Sequence, residues 1–211
     1  MMVFKLILIA IEAYILGSVN GAILTSRVIF RRDVRNYGSG NAGLTNFLRT
    51  FGPTGLVLVL AIDVLKSVVA MLIGGWLMKS YEAVTVGRLF AGFCLMLGHD
   101  FPLFHNFKGG KAVLCGGTVA FMVDWRIGLI CILGFALVVV FTGYVSLGSI
   151  VGAALCPIMV RVFDGFTGLE VTLALLCALL IIFKHAENIL RLVRGTERKL
   201  SFGPPNPRQR R

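Results

Sequence analysis

Three polar stretches in the sequence hold residues of the kinds that bind phosphate or carboxylate groups. The first, "RNYGSGNAGLTNFLRT" (Arg35–Thr50), sets Gly38, Gly40 and Gly43 around Ser39 and Asn41, just ahead of a helical pattern over Leu44–Phe51. Serine and asparagine are helix-capping residues. Backbone N–H groups at a helix start, approached closely through glycine, form an anion site. Asn41, Thr45 and Arg49 fall at i, i+4 and i+8, which on a helix is one face. Two hydrogen-bonding groups and a guanidinium in a row suit a phosphate or carboxylate. The plainer alternative is a capped interfacial helix with Arg49 snorkelling to lipid headgroups.

The second stretch, "GHDFPLFHNFKGGKA" (Gly98–Ala112), places the ammonium groups of Lys108 and Lys111 around the flexible pair Gly109 and Gly110. It is not a nucleotide-binding loop. That motif reads G-x-x-x-x-G-K-[ST], whereas His105 stands at its first glycine and Ala112 follows Lys111. Taken alone, a basic turn at the membrane surface accounts for it better. In the third stretch, "KHAENILRLVRGTERKL" (Lys184–Leu200), His185 and Asn188 are three residues apart at the end of the last apolar run. A histidine there is a candidate general base, an anion ligand when protonated, or a plain interfacial residue. Glu197 either holds Arg and Lys side chains in place or is a solvated charge.

The elements that must position these residues lie in a membrane. The 211-residue chain is 57% hydrophobic and 15% charged, against about 45–50% and 25% for a soluble domain. The net charge of +11 then belongs to cytoplasmic loops and does not call for nucleic acid. Cys94, Cys115, Cys131, Cys156 and Cys177 sit in apolar runs without C-x-x-C spacing, so they read as small buried hydrophobes, with no disulfide framework and no metal site. No cofactor is implied.

Apolar runs occur at Val3–Leu24, Thr54–Met78, Leu89–Leu97, Ala112–Val123, Ile127–Phe141, Leu147–Val162 and Leu169–Phe183. The third and fourth are short, so five spans with a re-entrant hairpin is one arrangement. Charge favours seven. Most of the 21 Lys and Arg residues fall in Thr25–Pro53, Gly98–Lys111 and Lys184–Arg211. Only Lys5, Lys79, Arg88, Arg126 and Arg161 fall at the opposite ends. The positive-inside rule puts the amino terminus outside and the carboxyl terminus in the cytoplasm. Seven crossings place all three polar stretches, and the junction "GYVSLGS" (Gly143–Ser149), on the cytoplasmic face. The fold expected is therefore all-α and polytopic, with seven transmembrane helices. Residues 1–200 form a single membrane-embedded domain and residues 201–211 a basic, proline-rich tail.

Gly17/Gly21 and Gly148/Gly152 make two G-x-x-x-G patterns suited to close helix packing in lipid. Asp63 and Lys66, three apart inside the second span, are expected to pair, because unpaired intramembrane charges are expensive. Glu12 in the first span has no evident partner in the sequence. No internal repeat is apparent, which weakens a transporter reading.

In this order, "GSGNAGLTNFLRTFG", "GHDFPLFHNFKGGK", "YVSLGS" and "HAENILRLVRGTERKL" resemble the bacterial acyl-phosphate:glycerol-3-phosphate acyltransferases, from Gly38 to Leu200. The resemblance implies seven membrane helices with the motifs on the cytoplasmic side of the bacterial cell membrane. It also implies transfer of a fatty acyl group from an acyl phosphate to the 1-hydroxyl of sn-glycerol 3-phosphate, giving lysophosphatidic acid for phospholipid synthesis. Ser39 and Arg49 match the family's essential serine and arginine. Lys108, Gly109, Gly110 and Lys111 match its phosphate-binding loop, and Ser146 matches a serine at the acyl-phosphate site. His185, Asn188 and Glu197 match the functional residues of its last motif. Its partners would be the two substrates, membrane lipid and an acyl-phosphate-producing enzyme.

Two departures stand out. The family usually continues G-G-K-G where this chain has Ala112, and an arginine is common where Gly143 stands. A paralogue with altered substrate is therefore one alternative reading. The H-x-x-x-x-D signature of acyl-CoA-dependent acyltransferases is absent, since Phe104, Gly110 and Leu190 follow the three histidines at that spacing. A transporter for a phosphorylated metabolite is the other alternative, but it would place polar groups near the midplane and on both faces. Here they crowd one face.

Overall fold

The computed structural model describes residues 1–163 and 165–200, and every regular element among them is helical. The tail expected at 201–211 lies outside the described residues. The α-helices are α1 (Met2–Ser18), α2 (Gly21–Phe30), α3 (Leu44–Phe51), α4 (Leu56–Met78), α5 (Val84–Asp100), α6 (Val113–Val123), α7 (Trp125–Thr142), α8 (Val145–Val162), α9 (Gly168–Lys184) and α10 (Ala186–Val193). α5 is central, packed on α1, α4 and α9, while α7 pairs with α8 and α6.

Four helical stretches are long and apolar enough to cross a bilayer: α1 with α2, α4 with its last turn, α7 and α8. A fifth is added if α9 and α10, bent by 58°, count as one. α5, with 17 residues, and α6, with 11, fall short of the roughly 20 that a perpendicular span needs. The apolar run at Leu89–Leu97 is only part of α5, which begins at Val84 and carries Arg88.

The first apolar run is not one continuous helix. α1 stops at Ser18 and α2 starts at Gly21, with the Asn20 side chain accepting from Ile23 N at 3.0 Å. A break inside lipid frees backbone groups that need partners. The intramembrane ion pair supplies them. Lys66 Nζ donates to Gly17 O and Val19 O at 3.2 and 2.6 Å, while Asp63 Oδ1 accepts from Gly21 N at 3.1 Å. The two charges pair at 2.8 Å, as their spacing suggests. A cation thus meets the carbonyl end of α1 and an anion the N–H end of α2, as helix dipoles favour.

The break also changes the reading of Gly17 and Gly21, which do not share one packing face. Gly17 backs onto Leu95 and Gly98 of α5, whereas Gly21 lies under Asp63 of α4. Gly148 and Gly152 do act together, both against Phe135 of α7. All five cysteines are free and buried. Cys115 is less isolated than its apolar run suggests, because its sulfur shares a cluster with Asp63 and His99. The Lys66 ammonium already sits on that cluster, 2.8 Å from Asp63 Oδ1 and 2.9 Å from His99 Nδ1.

Candidate active site

The segment leading into α3 is held by one residue that sequence spacing did not single out. Asn46 is buried. Its Oδ1 accepts from Ser39 N at 2.9 Å, and its Nδ2 donates to Val34 O, Tyr37 O and Asn41 O. A Cβ at Gly38 would collide with that Oδ1, and Gly38 has φ +63°, so glycine is required there. The cap of α3 is Gly43, without a side-chain bond. Ser39 and Asn41 are therefore not its caps, and Asn41 precedes the helix instead of sharing its face with Thr45 and Arg49. Asn41 and Thr45 nevertheless reach the same cavity as Arg49.

The loop holding Lys108 is clamped from below and from the side. Gly110 N donates to His99 O at 3.1 Å, and Arg35 Nη1 donates to His105 O and Lys108 O at 2.7 and 3.1 Å. Asp33 orients Arg35 through an ion pair at 2.8 Å, and that guanidinium holds the Asp33 carboxyl well below the usual range. Asn106, Phe107 and Ala112 all have positive φ, at 56°, 57° and 46°. Such backbone costs about 1–3 kcal/mol per residue and gathers at functional sites. The glycine pair serves packing: a Cβ on Gly109 or on Gly110 would run into His99. Gly110 is buried behind the loop, whereas Lys108, Gly109 and Lys111 line the cavity.

The third stretch is a kink, a short helix and a strap. His185 occupies the bend between α9 and α10 and Asn188 sits on α10, both buried. Glu197, in the strap, is the hub. Its Oε1 accepts from Ser146 Oγ and Asn188 Nδ2, both at 2.7 Å, and its Oε2 from Arg191 Nε at 2.7 Å. Burial raises the Glu197 carboxyl, but these three hydrogen bonds outweigh it and leave the group below the usual range. Lys111 Nζ donates to Asn188 Oδ1. Glu197 is thus a structural acceptor and not a solvated charge. Arg191 belongs to the site although its spacing gave no signal. The strap is tied to the rest by Leu200 N donating to Gly143 O at 2.7 Å and by Arg49 Nη2 reaching Arg198 O at 3.4 Å. Gly143 caps α7 at φ +77°, and the Lys199 side chain lies over it.

His185 Nδ1 lies 2.8 Å from Ile181 O. A carbonyl only accepts, so the proton is on Nδ1 and the Nε2 lone pair is free. Burial holds this imidazole down to about 4, hence neutral at physiological pH. Burial also lowers Lys111, to about 8, reinforced by Arg191 and opposed by Glu197. Arg49 is lowered first by burial and then by Arg198.

All of these groups open onto a cavity of about 1150 Å³. Its mouth carries Ser39, Arg49, Lys108, Lys111, Ser146, Lys184, His185, Asn188, Arg191 and Arg198, with Glu187 and Glu197 as its carboxylates. Beyond the mouth, where Asp63, His99, Thr118 and Ser149 also reach the lining, the walls are mostly apolar: Val64 and Val68 of α4, Leu114 and Phe121 of α6, Ile132 and Phe135 of α7, and Ala178 and Ile181 of α9. A cationic mouth suits phosphate, and the apolar depth suits a hydrocarbon chain.

Helices of membrane-crossing length around an amphiphilic, cation-lined cavity define an integral membrane protein built for phosphorylated lipid chemistry. The chain belongs to the glycerol-3-phosphate acyltransferase family, whose model matches residues 7–195. It is 41% identical over 194 residues to the glycerol-3-phosphate acyltransferase of Thermoanaerobacter pseudethanolicus, covering 92% of this chain and 95% of that protein. It is 39% identical over 204 residues to that of Clostridioides difficile, covering 95% and 98%. The crystal structure of PlsY (YgiH), an integral membrane glycerol 3-phosphate acyltransferase, in its glycerol 3-phosphate form superposes with a TM-score of 0.83. The sequence identity is 34%, over 93% of this chain and 96% of that one. The lysophosphatidic acid form gives a TM-score of 0.81 at 32% identity.

Proposed function

We propose that this membrane acyltransferase, an enzyme of phospholipid synthesis, moves a fatty acyl group from an acyl phosphate to the 1-hydroxyl of sn-glycerol 3-phosphate. The observation that carries the reading is one cavity joining a mouth rich in Arg, Lys, Ser and Asn to an apolar interior. An acyl phosphate is an activated donor with a good leaving group. Catalysis then needs two phosphates neutralised and a hydroxyl aligned with a carbonyl. Carboxylate acids are not required, which fits a mouth whose carboxylates are engaged with arginine: Glu197 at 2.7 Å and Glu187 at 3.7 Å from Arg191.

In this reading Ser39, Asn41, Thr45 and Arg49 hold one phosphate. Lys108, Gly109 and Lys111 line the path of the other, with Gly110 supporting their loop from behind. Ser146 and Asn188 complete the wall against Glu197. The glycerol hydroxyl oxygen attacks the acyl carbon, the carbon–oxygen bond to phosphate breaks, and the hydroxyl proton passes to a phosphate oxygen. His185 Nε2 is the alternative acceptor. Its Nδ1 is held by a backbone carbonyl, Ile181 O, and among the described residues no carboxylate other than the neighbouring Glu187 is in place to orient it, so a phosphate oxygen of the donor is preferred.

The seven-crossing topology is part of the proposal, with α1, α4, α5, α6, α7, α8 and α9 as spans and the motif residues facing the cytoplasm. α6 alone then covers only about half the membrane, roughly 16 Å at 1.5 Å per residue. Ala112 adopts the backbone conformation a glycine would, and the Lys199 side chain covers Gly143. Neither departure dismantles the mouth.

The test is phosphate release from palmitoyl phosphate by purified protein, with release expected only when glycerol 3-phosphate is added. Turnover with palmitoyl-CoA but not palmitoyl phosphate would overturn the donor assignment.

A further inference from the structure

The apolar half of the cavity has an end, and we propose that the Phe121 ring, seated on Gly128, sets the longest acyl chain the enzyme accepts. The inference rests on the function proposed above, because it places the donor's chain in that half of the cavity. The mouth opens beside Ser146, and the lining follows one face of α8 through Ser149 and Ala153 to Cys156. From Ser146 to Cys156 is ten rises of 1.5 Å, or about 15 Å. On α6 the lining reaches Phe121 and Met122 and goes no further, and the first residue of α7 to join it is Gly128.

Side-chain size separates the walls from the end. Ser149, Ala153, Cys156 and Ala178 are small and leave the lumen open, whereas Phe121 is large. Its ring rests against the α7 backbone only because residue 128 has no side chain: a Cβ there would stand 2.6 Å from Phe121 Cδ1 and Cδ2. Phe121, in the last turn of α6, lines the cavity and is also 42% exposed, so the ring stands at the rim of the lumen.

Length selection must come from fit. Lipid tails are as apolar as the cavity wall, so burying further methylenes gives little gain over leaving them in the bilayer. A chain that forces the ring aside overpacks the site, which corresponds to about a tenfold penalty or more.

The test compares wild type with Phe121→Ala and Ala153→Leu, using acyl phosphates from octanoyl to icosanoyl as donors and saturated alkylphosphonic acids of the same lengths as competing ligands. Opening the end should move the chain length at which kcat/KM falls about tenfold to longer donors. Blocking the lumen partway should move it to shorter ones, and the phosphonates should show the same two shifts in binding. Ala153→Leu that still turns over octanoyl phosphate confirms a folded site. The same limit in all three proteins, in turnover and in binding, would overturn the proposal. If no acyl phosphate is turned over but the phosphonates bind with shifted limits, the donor assignment fails while the depth limit stands.

Discussion

The Ser146 hydroxyl donates to Glu197 Oε1 at 2.7 Å, joining the first turn of α8 to the strap that closes the site. Since Asn188 and Arg191 donate to the same carboxylate, removing it leaves three donors without their acceptor. Each buried donor left unsatisfied costs about 1–3 kcal/mol. Glu197→Ala should therefore lower kcat/KM by about tenfold to a hundredfold. Glu197→Gln should fall between, because an amide can still accept from Ser146 but turns an N–H toward Arg191. Steady-state kinetics on the two variants checks this, and equal activity in all three proteins would contradict a positioning role.

Lys111 gives a pH dependence with a definite sign. Its ammonium is present below about 8 and lost above, so attraction for phosphate weakens as pH rises through that value. KM for the phosphorylated substrate contacting it should climb on the alkaline side of about pH 8. Lys111→Arg, which keeps its charge at any accessible pH, should flatten that limb. His185 stays neutral down to about 4, so no histidine limb is expected near 6.5. Initial rates from pH 5 to 10 resolve both points; an alkaline limb unchanged in the Arg variant would remove Lys111 from phosphate binding.

The ion pair at the break in the first apolar run predicts a stability effect. Lys66 holds Asp63, His99 and two free carbonyls, so Lys66→Met strands a buried carboxylate. Breaking such a pair costs about 3–5 kcal/mol, whereas replacing both partners with apolar groups is far milder. The midpoint of thermal inactivation in detergent should drop sharply for Lys66→Met and partly recover in Asp63→Leu/Lys66→Met. Recovery is incomplete because Gly17 O, Val19 O and Gly21 N still lose their partners. A double variant as unstable as the single one would show that the pairing itself is not what matters.

Much of this architecture was legible in residue order, and the rest was not for identifiable reasons. Hydropathy marks where chain meets lipid, so the apolar runs fall on α1, α4, α7, α8 and α9. It does not mark a break whose freed backbone is satisfied by distant side chains, so the stop at Val19–Asn20 was hidden until Lys66 was placed against Gly17 and Val19. Side chains that contact ligand have telling types, and Ser39, Arg49, Lys108 and His185 do converge on one cavity. Residues that work by holding backbone carry no such mark. Asn46 stands next to the polar stripe on α3, but its side chain is spent on the Ser39 N–H and three backbone carbonyls, and Arg35 acts on a loop about 70 residues away, through His105 O and Lys108 O. The glycine pair was legible as necessary, but its reason, close packing on His99, required the fold.

The serines at the mouth raise the question of a covalent intermediate. A nucleophilic serine needs an adjacent base able to take its proton. Ser146 Oγ donates to Glu197, but that carboxylate also accepts from Asn188 and Arg191 and lies below the usual range, so it is a poor base. Among the described residues no hydrogen bond joins His185 to Ser39 or Ser146, and the Nδ1 proton of His185 is committed to Ile181 O. An acyl-serine would also discard the activation an acyl phosphate already has. Direct transfer in a ternary complex is the expected outcome, with both serines donating hydrogen bonds. Mixing the protein with labelled acyl phosphate in the absence of glycerol 3-phosphate, then quenching, should leave Ser39 and Ser146 unmodified by mass spectrometry, and double-reciprocal plots should intersect. A stoichiometric acyl adduct on either serine, with parallel lines, would establish the two-step route instead.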